Sequence, residues 1–219
     1  MSDYSRKNRN ENEETFYPPR KEKFPSKKEK KQSLKKEIIS TLWQIALIFF
    51  LLLGVRHFLF VPVSVEGNSM EPTLHDHNRL LLSKMGKPER FDVIVFPAPD
   101  SPDKQYIKRV IGLPGDSVRM EADQLFINGE KVDEYYLGHA QDDLQEWETY
   151  TNDFSLETLT GKEVVPEDSF FVMGDNRPNS KDSRVFGFVP IESIFGKTEW
   201  RLWPLKEFGR IDPKNNTSE

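Results

Sequence analysis

Apolar residues are spread along this 219-residue chain in two different ways. From Ile38 to Val55 they run almost unbroken, with Ser40, Thr41 and Gln44 as the polar interruptions and no charge. Eighteen residues of helix span about 27 Å, close to the roughly 30 Å hydrocarbon core of a bilayer. Arg56 and His57 follow, and Phe58-Leu59-Phe60-Val61 continue the apolar character, so the expected transmembrane anchor is 37–60. A cleaved leader needs a shorter apolar core and a small-x-small exit. The exit here, Phe60-Val61-Pro62-Val63-Ser64-Val65, offers neither, and an uncleaved anchor is expected.

Beyond the anchor the apolar residues come in short runs, and the pattern predicts strands. They fall at Val61–Glu66, Arg79–Ser83, Phe91–Phe96, Lys104–Ile111, Ser169–Met173, Val185–Val189 and Gly196–Trp203. Gln124–Val132 carries Asn128-Gly129 at its centre, the signature of a tight hairpin. No long amphipathic helical pattern interrupts them, so residues 61–207 are expected to form a mainly β domain. Residues 134–160 stand apart as acidic and weakly periodic (Asp142, Asp143, Glu146, Glu148, Asp153, Glu157), the pattern of a surface loop or small subdomain. Residues 208–219 read as a flexible tail; the overlapping glycosylation patterns at Asn215–Ser218 carry little weight.

Charge divides the chain at the same place. Residues 1–36 hold 12 Lys/Arg and 6 Asp/Glu, whereas 37–219 hold 19 and 30. The first part reads as a disordered basic tail. Its end, Lys27-Lys28, Lys30-Lys31 and Lys35-Lys36, abuts the anchor. Basic residues on this flank predict a cytoplasmic N-terminus and an exported domain, with anionic lipid as a further contact for the patch. A nucleic-acid binder gathers positive charge on its folded part; here the folded part is acidic, and no nucleic-acid partner is expected. The chain has no cysteine, which excludes disulfides, thiolate catalysis and cysteine metal sites.

Four histidines are present: His57, His75, His77 and His139. His75-Asp76-His77 is their only cluster; it lacks a third ligand of obvious spacing, and solvated loop histidines are expected, without metal. A serine can instead be activated by an amine that burial keeps neutral. Lys108 fits this requirement, since Tyr106, Lys108 and Val110 share one face of an extended strand, with Ile107, Arg109 and Ile111 on the other. The pattern alone leaves Lys108 open between an ion-paired lysine and a base. Ser69, within Gly67-Asn68-Ser69-Met70-Glu71-Pro72-Thr73-Leu74, is either a turn serine or a nucleophile whose N–H meets an oxyanion. Gly67 permits close backbone approach there. The run Gly174–Arg184 is either a polar turn or a support for the amine, with Ser180 bonding to it and Asp182 and Arg184 paired.

Taken together, four stretches resemble bacterial type I signal peptidases of the single-span Gram-positive type. They are Asn68–Leu74, Phe91–Phe96, Tyr106–Asp116 and Gly174–Arg184, in that order behind the anchor. The resemblance implies a β catalytic domain with a smaller inserted β region at roughly 117–160. It implies a membrane-bound serine endopeptidase that removes signal peptides from exported precursors, cleaving after small residues in an Ala-x-Ala-like pattern. It places the nucleophile on Ser69 and the general base on Lys108, with Ser180, Asp182, Arg184 and Asp175 in support. Gly67, Asn68 and Met70 then form the oxyanion or substrate-pocket region. No cofactor is implied. The partners implied are signal-peptide-bearing precursors and membrane lipid. Gly67 stands where some members have a serine that helps bind the oxyanion, and Phe91 replaces a commoner glycine, a change expected to be tolerable at a strand start. Two alternatives remain at this stage: a self-cleaving Ser-Lys peptidase, and a catalytically inactive anchored β module that binds exported chains.

Overall fold

The computed structural model describes residues 27–138, 140 and 149–211. The chain divides into two compact units, residues 1–50 and 51–219.

Helix α1 runs Lys27–Leu59 and contains a 20-residue apolar stretch, Lys35–Gly54, none of it buried. Trp43, Leu47 and Leu51 are among the exposed side chains. Exposed apolar residues all around a helix are costly in water and suit a lipid surround. The helix starts at Lys27, inside the segment expected to be a disordered tail. Lysine and glutamate are good helix formers, and a helix already nucleated by an apolar span extends into them at little cost. Residues 1–26 and 212–219, the latter including the Asn215–Ser218 patterns, lie outside the described residues, as do His139, Asp142, Asp143, Glu146 and Glu148.

The second unit is built on an antiparallel sheet. Its strands are β1 Phe60–Ser64, β2 Arg79–Ser83, β3 Val93–Ala98, β4 Ser101–Gly112, β9 Ser169–Met173, β10 Val189–Pro190 and β11 Gly196–Trp203. Their order is β1-β2-β11-β3-β4-β9-β10, and β12 Gly209–Arg210 pairs with β11. A smaller sheet is inserted between β4 and β9: β5 Val118–Glu121, β6 Gln124–Ile127, β7 Glu130–Val132 and β8 Phe154–Ser155, in the order β7-β6-β5-β8. The protein is thus mainly β, with a smaller inserted β region and one N-terminal apolar helix. The Asn128-Gly129 turn joins β6 to β7 with both residues at positive φ, as the sequence suggested.

Strand β9 is buried at every position because both its faces are covered. Phe171 and Met173 pack with Ile111, Val118, Met120 and Leu125 of the inserted side, while Phe170 and Val172 pack with Ile94, Phe96 and Val110. The 134–160 segment is more than a surface loop: Tyr136, Leu137, Tyr150 and Leu156 join the first of these cores. Val185–Val189 is not a strand. Residues Ser183–Phe186 form a single helical turn because the Asp182 side chain accepts the Arg184 N–H, and only Val189–Pro190 pairs with β9. A local side-chain cap outcompetes β propensity over so short a stretch.

Candidate active site

Ser69 lies in the turn that follows β1. The turn is pinned by Glu71 N–H to Asn68 O and by Leu74 N–H to Met70 O, with a cis Glu71–Pro72 peptide between them. Gly67 has φ +82 and donates its N–H to Asp76 Oδ1. The space where its Cβ would stand is open among the described residues. Met70 turns inward instead, into a core with Val65, Leu74, Leu80 and Val93, while still lining the floor of the cleft.

The 174–184 loop crosses the same turn. Asn176 donates its backbone N–H to Ser69 O and its side-chain amide to Asn68 O. Gly174 makes this crossing possible. A Cβ there would lie 2.4 Å from Ser69 O and 2.1 Å from Ser180 Oγ, closer than atoms pack. The Ser69 N–H donates to no group among the described residues, which leaves it free for an incoming oxygen.

Strand β4 delivers Lys108. Register pairs it with Ile94 on β3, and the strand alternation seats its neighbours Tyr106 and Val110 on the same side. Lys108 is 3% exposed. Its Nζ donates to Ser69 Oγ at 2.8 Å and to Ile107 O at 3.0 Å, and lies 5.0 Å from the centre of the Tyr106 ring. Burial lowers its pKa to about 8, against the opposing pull of the Asp182 and Asp175 carboxylates. An appreciable fraction of the amine is therefore neutral near physiological pH.

Ser180 was expected to hydrogen-bond this amine. In the structure its hydroxyl oxygen is buried and has no partner among the described residues, while Lys108 donates to Ser69 and Ile107. Asp182 and Arg184 do pair, through two bonds of 2.8 Å each, and Asp182 also accepts the Gly174 N–H. Asp175 is fully buried and binds Arg109 through Nε and Nη2 at 2.9 and 2.5 Å, with the Thr73 hydroxyl 2.6 Å away. Arg109 and Thr73 were not singled out from the sequence. An arginine on an otherwise apolar strand face was the available signal, since such a charge needs a buried partner.

A cleft of about 610 Å³ opens over Ser69 and Lys108, walled by β1 (Val63, Ser64) and the free stretch of β4 (Gln105, Tyr106, Ile107). Among the described residues no group of three or more His, Cys, Asp or Glu is gathered in a metal-binding arrangement. His75 and His77 are exposed, beside Glu71 and Asp76. The arrangement is suited to nucleophilic attack by an activated serine, with an amine as proton acceptor.

The family described as "Signal peptidase, peptidase S26" matches residues 37–203. The chain belongs to the signal peptidase I family. It is similar to a signal peptidase I of Bacillus caldolyticus, 49% identical over 158 residues that cover 70% of this chain and 85% of the relative. It is also similar to signal peptidase IB of Staphylococcus aureus strain COL, 39% identical over 195 residues covering 83% and 98%. A solved signal peptidase I from Enterococcus faecalis V583 superposes with a TM-score of 0.50 at 47% identity, covering 52% of this chain and 98% of that one. Membership makes the protein a membrane-bound serine endopeptidase acting on precursor proteins, and α1 gives it a single membrane pass.

Proposed function

We propose that this protein cleaves signal peptides from exported precursors with Ser69 as nucleophile and Lys108 as general base. The observation that carries the assignment is the 2.8 Å contact between Ser69 Oγ and a buried lysine amine whose pKa burial has lowered to about 8. The neutral amine takes the Ser69 proton as the hydroxyl attacks the scissile carbonyl. The free Ser69 N–H receives the oxyanion, and the open space beside Gly67 admits it together with water. Lys108 then passes its proton to the leaving amine. Water deacylates the enzyme with Lys108 again acting as base.

Preference for small residues on the acyl side, in an Ala-x-Ala-like pattern, is consistent with apolar side chains such as Val63, Ile107 and Met70 close to the nucleophile. The basic flank of the anchor supports a cytoplasmic N-terminus and an exported catalytic domain. Purified protein in vesicles, incubated with a membrane-inserted precursor, tests the reading. Cleavage by the parent and none by Ser69→Ala or Lys108→Met is expected. Binding without cleavage by the parent would instead identify an anchored binder, and cleavage of its own chain alone a self-processing peptidase.

A further inference from the structure

Beneath the active site lies a second group of buried charges that the reaction itself does not use. Arg177 is 2% exposed and pairs with Glu134 through its two η nitrogens. The same Arg177 donates to Gly174 O, Thr151 Oγ1 and the Tyr136 hydroxyl, which itself donates to Glu134. The Tyr136 ring packs 4.1 Å from the guanidinium of Arg109, and the Tyr136 carbonyl is within reach of the Thr73 hydroxyl. Tyr150 donates to the Asp175 carbonyl at 2.8 Å.

The placement of these residues is specific. Arg109 is the strand neighbour of Lys108, Thr73 belongs to the Ser69 turn, and Asp175 and Arg177 begin the loop that carries Ser180. Each of the three segments that build the site therefore sends one of these groups downward, and Glu134 and Tyr136 of the inserted region meet all three. We propose that Glu134 and Tyr136 are positioning residues for catalysis, bolting the Ser69 turn, the Lys108 strand and the Ser180 loop into one rigid arrangement. The proposal rests on the Ser69–Lys108 reading. The inserted region is then a working part of the active site rather than an appendage.

The consequence reaches the amine through its surroundings. Lys108 faces Ser69, the Tyr106 ring (its hydroxyl held by Asp100, which also pairs with Lys181) and, at longer range, Asp175 and Asp182. Asp175 is anchored to Arg109 and Tyr150, and Asp182 to Arg184 and Gly174. Loosening the bolt lets water reach the amine and returns it toward its protonated form.

Two mild substitutions in the full-length protein test this. Tyr136→Phe keeps the ring on Arg109 and removes the hydroxyl; Glu134→Gln keeps the shape and removes the charge. Both are compared with Lys108→Met in precursor cleavage across pH 6.5 to 10, alongside thermal unfolding. Each is expected to lower kcat/KM at pH 7 by roughly ten- to a hundredfold, the scale of a misplaced catalytic group. The loss should shrink toward pH 10, with KM little changed, and Glu134→Asp should recover part of it. The double variant should lose less than the product of the two single losses, since both residues hold one arrangement. Unchanged kcat/KM, or a loss equal at every pH that follows unfolding, would overturn the positioning role. If Glu134→Gln does not fold, Tyr136→Phe decides between these outcomes. Activity in Lys108→Met would sink the dyad instead, which keeps the two failures apart.

Discussion

Lys108 and Arg109 are consecutive cations on one strand, both almost fully buried, yet their environments treat them in opposite ways. Lys108 contacts a hydroxyl, a carbonyl and an aromatic ring, and among the described residues no carboxylate lies within hydrogen-bonding distance of it. Arg109 has a carboxylate on two of its nitrogens and the Phe91 carbonyl on the third. Burial opposes the charge on both. It prevails at Lys108, whereas Asp175 outweighs it at Arg109, whose pKa stays raised. One face of β4 thus carries the proposed base and the other a structural ion pair. The difference is made by the partner, since depth is nearly the same.

The comparison breaks most sharply if the lysine is given arginine chemistry. Lys108→Arg puts a guanidinium that cannot deprotonate beside Ser69, and precursor cleavage is expected to fall by roughly 10⁴-fold, the scale of losing a catalytic base. Retained turnover in that variant would remove Lys108 from its role.

The opposite face is tested by Asp175→Asn, which strands the Arg109 charge. Breaking a buried pair costs about 3–5 kcal/mol. For a domain of this size the melting temperature should drop by roughly 10 °C, at 2–4 °C per kcal/mol. A melting curve that does not move would mean that the pair carries no net stability.

The pH dependence of stability sharpens the contrast. The folded pKa of Lys108, about 8, lies below the ordinary lysine value of 10.5 because burial disfavours the charge. Below pH 8 the amine is charged whether the chain is folded or not, and folding carries the full cost of burying it. Between 8 and 10.5 the folded state sheds the proton first, so stability rises, by roughly 3 kcal/mol at 1.36 kcal/mol per pH unit. Subtracting the unfolding free energies of Lys108→Met from those of the parent across this window should expose that rise. A flat difference would show that burial does not depress the amine.

The smallest effect is expected at Ser180. Its buried hydroxyl has no partner in the resting structure, so Ser180→Ala should leave the melting temperature unchanged or slightly raised. If the hydroxyl engages the amine during turnover, kcat/KM falls by about tenfold and the activity midpoint moves to higher pH, the scale of one hydrogen bond to a charged group. An unaltered rate and pH profile would strip Ser180 of that part.

Much of this was legible in the chain. Ser69, Lys108, Asp182 and Arg184 could be chosen because each carries a local signal: a glycine-flanked turn, an amine in an apolar strand, a carboxylate two residues from a guanidinium on a polar loop. Most of the strands were legible for the same reason, the alternation of burial. Glu134, Tyr136 and Arg177 gave no such signal. Arg177 lies 43 positions from Glu134 and 41 from Tyr136, and side chains joined only through the fold look like ordinary exposed polar residues when read in line. Phe91 shows a second blind spot. Its φ of +72 is a backbone state that glycine occupies easily and an aromatic does not, so the expected tolerance has a cost. Contacts of its ring with Tyr135 and Tyr136 offset that strain.

Strand β9 pairs with β4 at Arg109, Val110 and Gly112, next to Lys108 in the chain, and β9 lies far down the chain from Ser69. Until that strand arrives, the amine stands in water, protonated, at an ordinary lysine pKa near 10.4. A half-made copy therefore carries Ser69 and Lys108 without the buried amine that the proposed reaction needs. On the proposed mechanism, cutting power belongs to the closed fold rather than to the residues themselves.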